Sequence, residues 1–254
     1  MQKLSWWLIV CIFLSAHAQR LAVIGDWGAE SPHRPLVAAA MNEQHRQKPL
    51  AALLTVGDNF YPRGEPVLRF VQDLPPVRFY PAFGNHDVPA LDRQLELFKV
   101  ERPYYTVRLE HVEVFVLYSE DFSHTQRRWL EAALKASRAP WKIVVLHRPL
   151  YSSGLHGGSR SLRQALEPLL TRYQVNLVLA GHEHNYERLE ARGIVHIVTG
   201  GGGAWLRGFM SVRPQSKVRL SSPNYLILEA TAEHLLIVAY NEKNTAIDQV
   251  EIKR

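Results

Sequence analysis

Five apolar, β-branched runs in this chain each lead into a residue able to hold a metal ion, and that recurrence constrains the fold more than any other feature. Residues 21–24 run into Gly25-Asp26-Trp27-Gly28, 51–56 into Gly57-Asp58-Asn59-Phe60-Tyr61, and 77–82 lead to Gly84-Asn85-His86-Asp87. Residues 141–146 end in His147, and 175–180 in Gly181-His182-Glu183-His184. Short apolar runs bounded by glycine read as buried strands. In open α/β sheets the carboxyl ends of the strands are where ligands bind. The glycines before the ligands fit tight turns that bring backbone close to a site.

Helical patterns alternate with these strands. Pro32 after Ser31 opens a helix to about residue 46, with Ser31 as N-cap. Residues 91–98 form a short helix, and 104–109 and 112–118 paired strands around Glu110-His111. Helices follow at 123–136 and 161–173, with Ser123/Gln126 and Ser161/Gln164 in capping-box spacing. After residue 180 only strands remain, at 195–199, 225–230, 235–241 and 246–252. The first two thirds therefore read as β-α-β units and the last third as antiparallel sheet. Two mixed β-sheets face to face, flanked by helices, satisfy both halves.

The ends of the chain differ in character. Lys3, the apolar run 4–15 and Ala16-His17-Ala18 make a secretory signal peptide cut near Ala18, since the run is short of the ~20 residues a spanning helix needs. The mature chain is then 19–254, with no stable membrane anchor, and forms a single catalytic domain. Cys11, the only cysteine, lies in the signal, so no disulfide can form, which fits a periplasmic or secreted protein of ordinary core size. The net charge is +6, and losing Lys3 leaves 29 basic against 24 acidic residues. The basic residues are scattered, without the aromatic interleaving that marks nucleic-acid binders, and they read as a solvated surface.

The ligand types specify chemistry. Asp and Tyr oxygens suit a hard trivalent ion, Asn oxygen and His nitrogen a divalent one. A carboxylate can bridge two ions, and two metals a few ångströms apart suit phosphoryl transfer. No Gly-x-Ser-x-Gly or P-loop string competes.

In their order the five blocks resemble those of the calcineurin-like metallophosphoesterases, and within them the purple acid phosphatases of the tartrate-resistant type. The matching blocks are Gly25-Asp26-Trp27-Gly28, Gly57-Asp58-Asn59-Phe60-Tyr61, Gly84-Asn85-His86-Asp87, Val144-Val145-Leu146-His147 and Gly181-His182-Glu183-His184. Most of the superfamily has a ligating His where Gly28 stands; Tyr61 replaces it, and phenolate favours Fe(III). The resemblance implies a four-layer α/β/β/α sandwich. It implies that Asp26, Tyr61 and His184 hold Fe(III), that Asn85, His147 and His182 hold a divalent Fe, Zn or Mn, and that Asp58 bridges them. It implies that His86 and His156 are active-site histidines that bind substrate oxygen or protonate the leaving group, with Asp87 orienting His86 by a hydrogen bond. The implied reaction is hydrolysis of small phosphate monoesters by a metal-held hydroxide, with no phospho-enzyme and an acidic optimum.

Other residues carry weaker signals. Gly200–203 reads as a turn beside the site. Tyr186 and Arg188 fit either cleft or packing, and Arg148, Arg63 and Arg160 have equal claims to attract anions. His33, His45, His111, His124, His196 and His234 read as ordinary polar residues, Trp129 and Trp141 as core. The large plant enzymes' extra N-terminal domain and the family's cysteines are absent. A phosphodiesterase or nucleotidase with two divalent ions, and a non-catalytic phosphate-binding protein, remain alternatives.

Overall fold

The structure is a computed structural model and describes residues 18–254, so the expected signal peptide lies outside the described residues except for Ala18. The elements run β1 (Gln19–Ile24), α1 (Arg34–Gln47), β2 (Ala52–Val56), α2 (Leu68–Gln72), β3 (Arg78–Ala82) and α3 (Leu91–Phe98). The hairpin β4 (Tyr105–Arg108) and β5 (Val112–Val116) precedes α4 (His124–Ala136), β6 (Trp141–Val145), α5 (Arg160–Arg172) and β7 (Leu177–Ala180). Strands β8 (Tyr186–Ala191), β9 (Ile194–Thr199), β10 (Ser216–Leu220), β11 (Tyr225–Ala230), β12 (His234–Tyr240) and β13 (Ala246–Lys253) complete the chain.

The strands form two mixed sheets, one in the order β13-β12-β11-β1-β2-β3 and one in the order β10-β8-β9-β7-β6-β5-β4. In the first, β1-β2-β3 are parallel; in the second, β5-β6-β7-β9 are parallel. The two-residue period of a strand decides the layering. Leu21 and Val23 of β1 face the other sheet and share a core with Val114, Val116, Ile143, Val145, Leu177 and Leu179. Ala22 and Ile24, pointing the other way, pack with Val37 and Met41 of α1. On the far side Val144, Leu146 and Val178 meet Leu130 and Leu134 of α4 and Leu166 and Leu170 of α5. Both sheets are thus covered on both faces, which is why these strands are apolar without alternation. The expected α/β/β/α arrangement is the one found.

Some expected boundaries move. Helix α1 begins at Arg34 with Pro35 in its first turn, and Ser31 Oγ accepts the Arg34 N–H at 3.3 Å from the turn before the helix. Helix α5 starts at Arg160 because Ser159, not Ser161, accepts the N–H of Leu162. At α4 the expected cap is present: Ser123 Oγ accepts from Gln126 N–H at 3.2 Å, while the Gln126 side chain turns away to the Tyr118 and Asp121 backbone. The short α2 and strands β8 and β10 were not expected. Among the described residues no helix is long and apolar enough to cross a membrane.

One histidine read as ordinary proves to be buried in the core. His196 of β9 lies edge-on to Tyr151, with ring centroids 5.2 Å apart, and its Nδ1 has no partner among the described residues. Burial pushes its imidazole down from 6.5 to about 4. A group with a depressed pKa in the fold binds its proton more readily when unfolded, so stability falls as pH drops from 6.5 toward 4. The loss over that interval is expected to be about 3 kcal/mol. Urea unfolding of the wild type and of His196→Leu across this range should show the variant losing less stability on acidification; parallel pH profiles would assign the acid sensitivity elsewhere.

Candidate metal centre

The parallel strands of both sheets end at one place, and the loops after β1, β2, β3, β6 and β7 are bound to one another there. Asp26 N–H donates to the Gly57 carbonyl at 3.0 Å, Gly181 N–H to the His147 carbonyl at 3.0 Å, and Ala204 N–H to the Asp26 carbonyl at 2.7 Å. Three of the turns place a side-chain-bearing residue in left-handed backbone: Asp26 at φ 53°, Asp58 at 51° and His182 at 70°. Asp and His tolerate this region better than most, and such strain clusters at functional sites. Glycine is required where chains cross most closely. A Cβ on Gly84 would lie 2.2 Å from Asp58 Oδ1, and one on Gly28 would lie 1.8 Å from the Asn59 carbonyl. No side chain fits at Gly28, and Tyr61 N–H donates to its carbonyl at 3.0 Å.

The seven expected ligands converge as two groups sharing one carboxylate. In the first, Tyr61 Oη lies 3.2 Å from Asp26 Oδ1 and 3.1 Å from His184 Nε2, and His184 Nε2 lies 3.5 Å from Asp26 Oδ1. In the second, His147 Nε2 lies 3.2 Å from Asn85 Oδ1 and 3.2 Å from His182 Nδ1. Between them Asp58 turns Oδ2 to Tyr61 Oη at 2.9 Å and Oδ1 to His147 Nε2 at 3.4 Å. Donors bonded to one ion at about 2.1 Å and at right angles stand about 3 Å apart, so each group has the spacing of a coordination shell. The donor atoms of Asp26, Asp58 and His147 all lie within 4.8 Å of one another.

Hydrogen bonds on the far side of the rings aim the nitrogens. His147 Nδ1–H donates to the Val56 carbonyl at 3.0 Å, and His184 Nδ1–H to the Trp205 carbonyl at 2.8 Å, which leaves each Nε2 free toward the cluster. This is the outer-shell arrangement that fixes the tautomer of a metal-ligating histidine.

The electrostatics call for a cation. Asp26 is fully buried, and burial, reinforced by the charge of Asp58, raises its carboxyl well above the ordinary range. Burial also opposes ionisation of Asp58, but His147 and the His86 N–H outweigh it and hold that carboxyl below its usual value. Burial and the two carboxylates push the Tyr61 phenol up. For His147, burial disfavours the imidazolium, yet the Asp58 and Asp26 charges raise it to about 10. Without metal, then, a proton is retained where positive charge is needed. Burial and the cations of His147 and Arg148 lower His182 to about 2, and burial chiefly lowers His184 to about 4, so both are neutral, ligand-ready imidazoles above pH 5.

His86 and His156 stand at the mouth. The His86 backbone N–H donates to Asp58 Oδ1 at 2.9 Å, its ring lies 4.3 Å from that of Tyr61, and its Nδ1–H donates to the Pro62 carbonyl at 2.8 Å. Pro62 thus takes the role expected of Asp87, and that expectation is corrected. The Asp87 carboxylate instead accepts from the backbone N–H groups of Asn59, Phe60 and Gly84 and from the side chains of Asn59 and Gln94. It clamps the loops after β2 and β3 together, because a buried carboxylate with five donors has no capacity left for His86. The His156 ring lies with its centroid 4.6 Å from that of His182, tilted 36° to it.

Three residues around these histidines carried no sequence signal of their own. Glu183, between His182 and His184, is buried and accepts the His156 N–H, and its Oε1 lies 3.5 Å from His156 Nδ1. Burial pushes the Glu183 carboxyl up, opposed by the backbone N–H of His156. Arg207 reaches to 3.3 Å from the His156 ring. Glu120 holds Arg148 through Nε at 2.9 Å, with Arg148 Nη1 at 3.2 Å from His182 Nε2. Of the other candidates, Tyr186 and Arg188 bond Asp248 and leave the cleft, and Arg63 and Arg160 make no described contact with the cluster. The 200–203 glycines form a turn against β1, with Gly202 N–H donating to the Gly25 carbonyl at 3.0 Å.

A profile described as calcineurin-like phosphoesterase matches residues 19–186, and the chain belongs to that family of phosphoric ester hydrolases. Its place there is among the purple acid phosphatases. Purple acid phosphatase 17 of Arabidopsis thaliana is 30% identical over 73% of this chain and 69% of its own length. Tartrate-resistant acid phosphatase type 5 of Rattus norvegicus is 29% identical over 80% and 77%. Among solved structures, the purple acid phosphatase PPD1 from yellow lupin seeds superposes with a TM-score of 0.84 at 20% identity, over 94% of this chain and 54% of that one. GAP50, described as the anchor in the inner membrane complex of Plasmodium, has a TM-score of 0.82 at 21% identity over 93% and 89%. Both likenesses to solved structures concern the fold alone.

Asp87→Asn places an N–H group among N–H donors that now share a carboxylate. The variant is expected to lose about 3 kcal/mol, read as a lower urea midpoint. Because Asp87 does not touch the His86 ring, the position of the ionisations in the pH–rate profile should stay within experimental error; a shifted limb would restore the direct role.

Proposed function

We propose that the protein is an exported acid phosphatase that hydrolyses phosphate monoesters at a dinuclear centre of Fe(III) with a divalent Fe, Zn or Mn. The observation that supports it most is the pair of three-donor groups joined by Asp58, with donors 3.1–3.5 Å apart in the first group and His147 Nε2 3.2 Å from both Asn85 Oδ1 and His182 Nδ1 in the second. Asp26, Tyr61 and His184 would hold Fe(III), Asn85, His147 and His182 the divalent ion, and Asp58 both. When bound, the two ions supply Lewis-acid charge and acidify the attacking water.

The protein's own groups do the rest. Buried carboxylates, a phenol and neutral imidazoles make a rigid donor set that needs little rearrangement during reaction. His86, tied by its backbone to Asp58 and by Nδ1–H to Pro62, presents Nε2 to the mouth and in its protonated form delivers a proton to the departing alkoxide. His156, held at its N–H by Glu183, fills the opposite side beside His182 and steadies substrate oxygen. Arg207 adds a fixed positive charge next to His156 and favours an anionic ester. Fe(III) held by Asp26, Tyr61 and His184 would lower the pH at which an attacking water ionises more than a divalent ion would, so an acidic optimum is expected. The apolar leader ending near Ala18 supports export to the periplasm or beyond, with residues 19–254 as one catalytic domain.

The mature protein, purified aerobically, should carry iron and a second metal and show a visible charge-transfer band that Tyr61→Phe removes. It should turn over aryl phosphate monoesters faster than the matching diesters. A colourless protein with two divalent ions and a diester preference would overturn the Fe(III) monoesterase reading. His86→Ala should keep the metals and the band while kcat falls about 10²- to 10⁴-fold, the usual contribution of a general acid; an undiminished kcat would remove the acid role.

A further inference from the structure

The described residues leave seven large apolar side chains exposed, namely Leu36, Leu68, Val88, Leu155, Trp205, Met210 and Val212. Four of them, Leu155, Trp205, Met210 and Val212, stand on two segments beside the metal centre, and Trp205, Met210 and Val212 are 66%, 72% and 69% exposed. The two segments are knit together. Gly154 pairs with Phe209 as an isolated bridge, and the N–H groups of Met210 and Ser211 both donate to the Ser153 carbonyl, at 3.0 and 3.2 Å. Arg213 N–H donates to Ser153 Oγ at 3.0 Å, and its Nε–H to the Ser152 carbonyl at 3.1 Å. Below them Glu187, buried, accepts from Ser152 Oγ and Ser153 N–H. These bonds fix the backbone from which the exposed side chains project.

The position of this lobe ties it to the chemistry. The Trp205 carbonyl is the acceptor that aims His184, Arg207 N–H donates to the His184 carbonyl at 2.9 Å, and the Arg207 guanidinium meets the His156 ring. One side of the mouth thus offers a cation beside an active-site histidine and, on the same loop, apolar side chains open to solvent. Exposed apolar groups clustered on one rim mark a binding surface, and pockets for small molecules combine apolar walls with a few placed polar groups.

We infer that this rim binds the leaving-group side of the substrate, and that the enzyme selects phosphate monoesters of large apolar or aromatic alcohols over those of small polar ones. The inference rests on the phosphatase reading above. In this arrangement Arg207 meets the anionic end, and Trp205, Met210 and Leu155 cover the apolar body. Such an ester can come from two sources, an aryl phosphate or a long-chain alkyl phosphate, and the ring of Trp205 and the flexible thioether of Met210 accommodate either.

The test compares esters matched in leaving-group reactivity, using the metal-loaded wild type, Trp205→Ala and Met210→Ala. The aryl pair is 2-naphthyl against phenyl phosphate; the alkyl pair is n-hexyl against ethyl phosphate, all below any critical micelle concentration. In the wild type the larger member of at least one pair should have kcat/KM about tenfold higher, the discrimination a hydrophobic pocket gives for a few carbons. Both variants should bring that ratio toward one. Preference in the aryl pair alone assigns an aromatic alcohol, and in the alkyl pair alone a lipid-like one. Wild-type ratios near one, or ratios that the variants leave unchanged, would overturn the inference while the phosphatase activity stood. Sedimentation showing a wild-type dimer that both variants dissociate would give the patch to a second copy and overturn it as well. No turnover of any of the four esters would instead bring down the phosphatase reading, and this inference with it.

Discussion

Two carboxylates buried at the ends of neighbouring parallel strands are the feature on which the rest of this molecule depends. Asp26 and Asp58 are 0% and 1% exposed, with a phenol and three imidazoles around them. Water cannot reach to solvate them, and an isolated buried carboxylate is too costly to keep ionised. Two solutions exist: a proton or a cation. Retention of a proton by His147 up to about pH 10 shows how strongly the site attracts positive charge without metal. A pair of metal ions answers the same demand and inverts the local logic, because it favours the ionised phenol and carboxylates that burial alone would suppress. The folding cost of placing these groups together is therefore coupled to metal binding.

That coupling explains where local rules are broken. Asp26, Asp58 and His182 all take left-handed backbone, and Gly28 and Gly84 sit where a methyl group would overlap a neighbouring chain. None of this helps an isolated strand or turn. It lets loops from two different sheets close over one point, with the His147 to Val56 hydrogen bond linking the end of β6 to the end of β2. Asp87 supplies part of the compensation by binding five donors from the loops after β2 and β3 and from Gln94 of α3. The buried histidine of β9 is a second concession, since its imidazole opposes stability at acidic pH and makes no described hydrogen bond through Nδ1.

What could be read from the sequence follows from range. The strands and the candidate donors that converge at their ends were legible because a parallel sheet buried on both sides forces continuous apolar runs, and because each candidate follows its strand within a few residues. The sandwich followed from the switch between β-α-β units and antiparallel strands. Helix starts were off by about two residues where several serines or prolines competed, since Ser159 and Ser161 are equally good caps until tertiary contacts choose between them. Strands β8 and β10 escaped notice because β8 carries glutamates and an arginine whose partners, such as Asp248, lie far along the chain. The expected Asp87 to His86 bond is not made, because three dimensions gave that proton to the Pro62 carbonyl and turned Asp87 toward the backbone of the loops after β2 and β3. Arg207 and Glu183 were invisible for the same reason: their meeting with His156 is created by the lobe that joins residues 152–156 to 204–213.

The division between legible and illegible residues is also a division of labour. Residues fixed at strand ends by the two sheets form the candidate donor set, and their geometry is set by the same packing that makes the core, so they tolerate little change. The mouth is built on the other principle. Its lobe hangs on backbone hydrogen bonds to Ser152 and Ser153 and on the carboxylates of Glu183 and Glu187, and its outer side chains touch solvent rather than core. Replacing Trp205 or Met210 there alters what the mouth welcomes without moving a metal ligand, because only the Trp205 carbonyl, not its ring, engages His184. Fold likeness alone therefore says little about the substrate of such a sandwich. The chemistry belongs to the buried strand ends, and the choice of ester belongs to a few exposed side chains on a loop anchored just beside them.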